Sequence, residues 1–273
     1  VSAVKENKRY LNCPVTYGLP EPPFLLTIVA PRKSGKTNLT VDLLTDKDKF
    51  AGKFDAIFIW STTFHLDGKW KNIQLPPGSV FTQFAESDID QLLTELERIN
   101  KKQSLNVLFI FDDMVTEGIM SPRRMGSLES IAVRGRHVNA SIIIITQQYM
   151  ALSPPVRNNT TNMVIFRIRN GDEFEKITRE NREGLTVDAF KEMMDLATSE
   201  PYCFLHVNNQ RQDPNKRFYK NWNQLFNGKT FDVPKCVEHS STSTLSQEST
   251  QKENGSPETN SDSEETSCYP ERG

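Results

Sequence analysis

The sequence predicts an α/β fold: a mostly parallel sheet with helices on both of its faces. Three observations predict it. Short continuous apolar runs recur (FLLTIV at 24–29, FDAIFIW at 54–60, VLFIF at 107–111, SIIII at 141–145), as expected of strands buried on both faces. Helix-like segments separate these runs, and such crossovers join parallel strands. Polar or acidic residues follow several of the runs directly, where open α/β sheets place their ligands.

Taken in order, residues 1–23 are polar and end in Leu19-Pro20-Glu21-Pro22-Pro23, so they read as an irregular N-terminal segment. The run at 24–29 is the first strand, and 38–44 reads as the helix that follows it. Phe54–Trp60 is the second strand, Pro76-Pro77-Gly78 a turn, and Val80–Phe84 a short strand. Ser87 is placed to cap a helix through Ile99, with Ile89, Leu92, Leu93 and Leu96 on one face. Val107–Phe111 is a third long strand. A helix near Ser127–Arg136 precedes the strand Ser141–Ile145. Met163–Ile168 is a further strand, Asp172–Asn181 and Val187–Leu196 are helices, the second capped by Thr186, and Tyr202–Val207 is a final strand.

The chain has 273 residues, enough for one large α/β domain with extensions. Hydrophobic residues make up 36%, a deficit that the Ser/Thr/Glu-rich stretch 235–273 explains. That stretch predicts an acidic disordered tail (Glu238, Glu248, Glu253, Glu258, Asp262, Glu264, Glu265), leaving 24–234 as the globular domain. The net charge of -2 therefore hides a mildly basic body. Cys13, Cys203, Cys236 and Cys268 are scattered, which argues against a zinc site and for a reducing compartment. No apolar run reaches membrane-spanning length, and no signal-like core opens the chain. Val1 stands where a start methionine would, as in a piece of a longer protein.

The first strand runs into Ala30-Pro31-Arg32-Lys33-Ser34-Gly35-Lys36-Thr37, a phosphate-binding P-loop with Ala30 at the usual first glycine. Between a buried strand and a helix, successive backbone N–H groups wrap phosphates at the helix N-terminus. Gly35 permits close approach. Lys36 supplies charge to the β- and γ-phosphates of ATP, and Thr37 a hydroxyl to Mg²⁺. The third long strand ends in Asp112-Asp113. There Asp112 is the expected metal-binding acid and Asp113 the general base that polarises water. Alone, an acid after a strand is as readily a turn residue. The next strand ends in Thr146-Gln147-Gln148, which puts Gln147 where it would sense the γ-phosphate or orient water. Arg134 and Arg136 flank Gly135 before that strand. Either is an arginine-finger candidate for a neighbouring subunit, or a plain charged helix terminus. Arg157 is a lesser candidate. No Asn-Lys-x-Asp guanine motif and no Leu-Ser-Gly-Gly-Gln segment occurs. A P-loop kinase and a helicase-type motor remain alternatives on these residues alone.

Three blocks carry a resemblance: FLLTIVAPRKSGKTNLTVDLL (24–44), LFIFDDM (108–114) and RGRHVNASIIIITQQYMALSPPVRNN (134–159). With FYKNWNQLF (218–226), their order over 24–226 resembles the poxvirus-type DNA-packaging ATPases of the FtsK–HerA group. The resemblance implies a RecA-like core, a ring-shaped homo-oligomer, and ATP-driven movement of double-stranded DNA into a capsid made of viral capsid proteins. It implies a virion or infected-cell location. On it, Lys36 and Thr37 bind ATP–Mg²⁺, Asp112 holds the metal, and Asp113 takes the catalytic-acid position, where many relatives carry Glu. Gln147 matches the sensor, and Arg136 or Arg134 the finger. Contacts to DNA would be chiefly to phosphates and salt-dependent. The cluster Arg211, Lys216, Arg217, Lys220 with Phe218, Tyr219 and Trp222 reads either as a DNA surface or as a C-terminal packing element.

Overall fold

The apolar runs become the centre of one sheet in the computed structural model, which describes residues 18–73, 75–114 and 126–233. The expected tail at 235–273 and most of the expected N-terminal segment lie outside the described residues. Along the chain come β1 (Leu25–Val29), α1 (Lys36–Thr45), β2 (Ala56–Ser61), β3 (Val80–Phe81), α2 (Glu86–Asn100), β4 (Val107–Asp112), α3 (Gly126–Arg134) and β5 (Ala140–Thr146). They are followed by α4 (Pro154–Asn159), β6 (Asn162–Ile165), α5 (Gly171–Asn181), α6 (Val187–Ala197), β7 (Leu205–Asn208), β8 (Phe218–Lys220), β9 (Gln224–Phe226) and β10 (Phe231–Asp232).

The sheet order is β10-β9-β8-β7-β6-β1-β5-β4-β2-β3. From β6 to β3 every pairing is parallel, and from β6 to β10 every pairing is antiparallel. Side chains alternate faces along a strand, so each run feeds two cores. Leu25, Val29, Phe109, Phe111, Ile142 and Ile144 share one apolar cluster with residues of α2 to α6. Leu26, Ile28, Leu108, Ile110, Ile143 and Ile145 share the other with α1 and the turn at Trp70. Every residue of β1, β4 and β5 is buried. Burying one such side chain is worth roughly 1.5–3 kcal/mol, which explains why these strands show no polar alternation.

Several boundaries differ from expectation. Val80–Phe81 is only two residues long. α2 begins at Glu86 after Ala85, so Ser87 is not its cap. α3 stops at Arg134, a 3-10 turn spans Gly135–Val138, and Asn139 at φ 58 reverses the chain into β5. Asn tolerates that left-handed geometry better than most residues. β6 ends at Ile165, and β7 begins at Leu205 rather than Tyr202, whose φ is 66. The antiparallel strands β8–β10 went unforeseen. Thr186 does cap α6, its side chain accepting from the Ala189 N–H.

Strand order matters most for the site. β5 lies between β1 and β4. All three strands are parallel, so their C-terminal ends open on one edge of the sheet, the edge where ligands of such sheets sit.

Candidate active site

β1 delivers the P-loop. Ala30 is fully buried in the α1-side cluster, and its N–H donates to the Thr146 carbonyl at 3.0 Å. A methyl group at this position therefore packs into the core. Lys33 and Gly35 adopt φ 63 and φ 97, which turn the chain abruptly into α1. A side chain at Gly35 would be strained, and its Cβ would lie 3.0 Å from the Tyr202 ring. No side chain caps α1, and its first turn holds no acid. The unsatisfied N–H groups and positive dipole end of the helix are thus left to an anion. The Ser34 hydroxyl is buried without a hydrogen-bond partner.

β4 delivers the acids. Asp112, 3% exposed, accepts a hydrogen bond from the Ser61 hydroxyl at 3.2 Å; Ser61 ends β2 next door. The other carboxylate oxygen, Oδ1, is buried without a hydrogen-bond partner. Burial pushes the Asp112 carboxyl up to about 6, with Lys36 opposing and Asp113 adding to the rise. A buried, incompletely satisfied carboxylate of this kind fits a divalent cation, and the Thr37 hydroxyl of the P-loop motif is an oxygen donor suited to the same ion.

Asp113 leaves the strand at φ 55 and donates its N–H to the Ile145 carbonyl at 3.2 Å. Its carboxylate accepts from Lys36 Nζ at 2.8 Å and from Gln147 Nε2 at 2.8 and 2.6 Å. Lys36, Asp113 and Gln147, from three segments of the chain, thus form one hydrogen-bonded group. The lysine and aspartate side chains are 13% and 23% exposed, so this pair is shielded more than a surface salt bridge.

A brace holds the Gln147 loop. Glu173 of α5 accepts from the N–H groups of Tyr149 at 2.8 Å and Met150 at 3.2 Å. Glu180 accepts from the Tyr149 hydroxyl at 2.7 Å, from Arg157 at 3.0 Å and from Lys176 at 2.7 Å. The Arg157 guanidinium also lies over the Tyr149 ring, 5.5 Å from its centre. Arg157 is thereby tied into the brace within its own chain. Neither Ser61 nor Glu173 was singled out from the sequence. A small polar residue ending a buried strand was the available signal for Ser61; an acid in the first turn of α5 carried none.

Arg134 and Arg136 are not brought to this group. Both precede β5, at the sheet edge opposite the P-loop. Arg134 is paired with Glu97 of α2. Arg136 is exposed and makes no ion pair among the described residues. In the basic–aromatic cluster, Phe218, Tyr219 and Trp222 are buried, Arg217 pairs with Glu183, and Lys220 with Glu200. It is a packing element, and its rings cannot stack on DNA bases.

The family model described as Poxvirus A32 protein matches residues 16–200 of the chain. No curated protein sequence is significantly similar. Among solved structures, the DNA-packaging ATPase B204 from Sulfolobus turreted icosahedral virus is similar at TM-score 0.53 and 16% identity, over 71% of this chain and 96% of that one. The genome packaging NTPase B204 from Sulfolobus turreted icosahedral virus 2 is similar in its complex with AMPPCP, at TM-score 0.52 and 18% identity, over 71% of this chain and 96% of that one. In complex with AMP it gives TM-score 0.51 and 17% identity, over 74% of this chain and 98% of that one. At such identities the likeness is one of fold.

Proposed function

The chain belongs to the poxvirus A32 protein family of viral DNA-packaging ATPases, and from that premise we propose how its residues divide the work. Family membership removes the kinase and helicase alternatives that the motifs alone left open. ATP is hydrolysed, and the energy drives double-stranded DNA into a capsid.

On this reading the P-loop amides, Ser34 and Lys36 hold the phosphates. Thr37 and Asp112 would hold Mg²⁺, for which the orphaned Asp112 oxygen is the supporting observation. Bound there, the ion would neutralise charge on the phosphate oxygens. Asp113 takes the proton of the attacking water, and Gln147 orients that water. As found, Asp113 is held by Lys36. A phosphate that draws Lys36 away leaves the carboxylate to accept a hydrogen bond from the attacking water. Substrate binding and the availability of the base are thereby linked through one ammonium group.

Arg136 is the better finger candidate, because Arg134 is already paired with Glu97. Its position opposite the P-loop suits a ring in which one subunit's edge faces the next subunit's nucleotide. Capsid proteins as partners, and a virion or infected-cell location, belong to the same proposal.

The observation that carries the reading is the meeting of Lys36, Asp113 and Gln147 beside buried Asp112. The decisive measurement is ATP hydrolysis with and without duplex DNA, beside Lys36→Ala. We expect stimulation by DNA and its loss in the variant. Hydrolysis indifferent to DNA would overturn the coupling to translocation, and none at all in the parent protein would overturn the site.

A further inference from the structure

The direction of the bound triphosphate follows from the acids. Asp112, Asp113 and Gln147 lie on the β5–β4 side of the P-loop strand. The γ-phosphate must face them, so the nucleoside end points the other way, toward β6 and β7. On that side a groove of about 250 Å³ lies against the start of α1, between Leu39 and Asn38 below and Phe166 and Tyr202 above. It shares Ser34 with a larger cavity of about 780 Å³ along the P-loop, and Tyr202 borders both.

Tyr202 is unusual in two independent ways. It is 71% exposed, whereas the other aromatic residues among the described ones are mostly buried. Its backbone sits at φ 66, a left-handed conformation that an aromatic residue seldom adopts. Residues held in such conformations concentrate at ligand-binding positions. The turn aims the ring at Gly35 of the P-loop, where a Cβ would lie 3.0 Å from Tyr202 Cδ1. Phe166, 3% exposed, closes the groove from the end of β6.

We infer that Tyr202 is the platform on which the nucleobase of the substrate stacks, with Leu39 and Phe166 forming the apolar walls of the base site. The inference rests on the nucleotide-hydrolysis reading and adds the purine-binding half of that site. An aromatic face holds any base by stacking and does not read its edge, and purines offer it the larger surface. The expected ligand is therefore a purine nucleoside triphosphate, bound with little preference between adenine and guanine.

Calorimetric titration tests it, using ATP and inorganic tripolyphosphate as separate probes on the full chain, Tyr202→Ala and Tyr202→Trp, each with Mg²⁺. The residue is exposed, so truncating it opens no cavity in the core, and circular dichroism checks the fold. In Tyr202→Ala, ATP should bind about ten-fold more weakly while tripolyphosphate binding stays unchanged. Tyr202→Trp should restore the ATP affinity. Equal ATP affinity in the parent protein and Tyr202→Ala would overturn the inference. So would equal weakening for both probes, which would mean that the ring merely supports the loop at Gly35. A parent protein that binds tripolyphosphate no better than it binds sulfate would instead overturn the phosphate site beneath it.

Discussion

Asp112 shows how a single residue is set up at cost to the fold. Its carboxyl is raised from 3.8 to about 6, first by burial. The folded state therefore holds this proton more tightly than the unfolded chain does. The sign follows: Asp112 favours folding below about pH 4, and that contribution is lost as pH rises through about 6. Above that pH folding is ~3 kcal/mol less favourable than below about pH 4, unless a cation binds the buried anion. Asp112→Asn should accordingly raise the melting temperature at pH 8 in the absence of metal. It should also abolish stabilisation by Mg²⁺ and lower hydrolysis at least a hundred-fold. In the unsubstituted protein, Mg²⁺ affinity should fall as pH drops through about 6. Thermal melts across pH with and without Mg²⁺ measure all of this. A variant less stable than its parent at pH 8 would count against the buried-charge account.

At the scale of elements, the loop that carries Gln147 is held by a helix outside the proposed catalytic group. The first turn of α5 carries Glu173, whose carboxylate accepts from two successive N–H groups directly after Gln147 and Gln148. Hydrogen bonds to a charged group contribute roughly 1.5–3 kcal/mol, enough to fix the loop. Glu173→Ala should therefore lower kcat about ten-fold, by misplacing Gln147, with little change in nucleotide affinity. Steady-state kinetics beside equilibrium ATP binding separate the two effects. An unchanged kcat, or a loss confined to affinity, would show that Gln147 keeps its place without this brace. Glu180 secures the far side of the loop through Tyr149 and Arg157, so the two acids act from one helix.

For the whole molecule, the body is mildly basic and the C-terminal aromatics are buried, so that cluster offers DNA bases no stacking face. A motor that grips phosphates needs none. DNA-stimulated hydrolysis should weaken steeply between 50 and 200 mM salt, by ~10³-fold in affinity if six phosphates are engaged. Hydrolysis without DNA should respond far less. The proposed ring makes a separate claim: Arg136→Ala should abolish hydrolysis while leaving ATP binding intact, and mixing with Lys36→Ala subunits should restore some activity. Restoration requires an arginine from one subunit to complete another's site. If Arg136→Ala keeps full activity, the finger lies elsewhere.

The sequence by itself determined the strands β1, β2, β4 and β5, because burial on both faces demands uninterrupted apolar runs. It also determined Lys36, Thr37, Asp112, Asp113 and Gln147 as the candidate group, because each ends or follows such a run. Its reach stopped where residues were half exposed or short-paired. Strands β8–β10 have two or three residues each, too few to display a period. Tyr202 read as part of a strand, since its left-handed turn leaves no compositional mark. Only the tertiary structure decided that β5 lies between β1 and β4, which is what joins Gln147 to Asp113 and Lys36. Only it decided that Arg157 and the C-terminal aromatics serve packing, and that Tyr202 stands over Gly35. Strand order and long-range contact depend on how the two apolar faces are covered together, and no local window of residues contains that information.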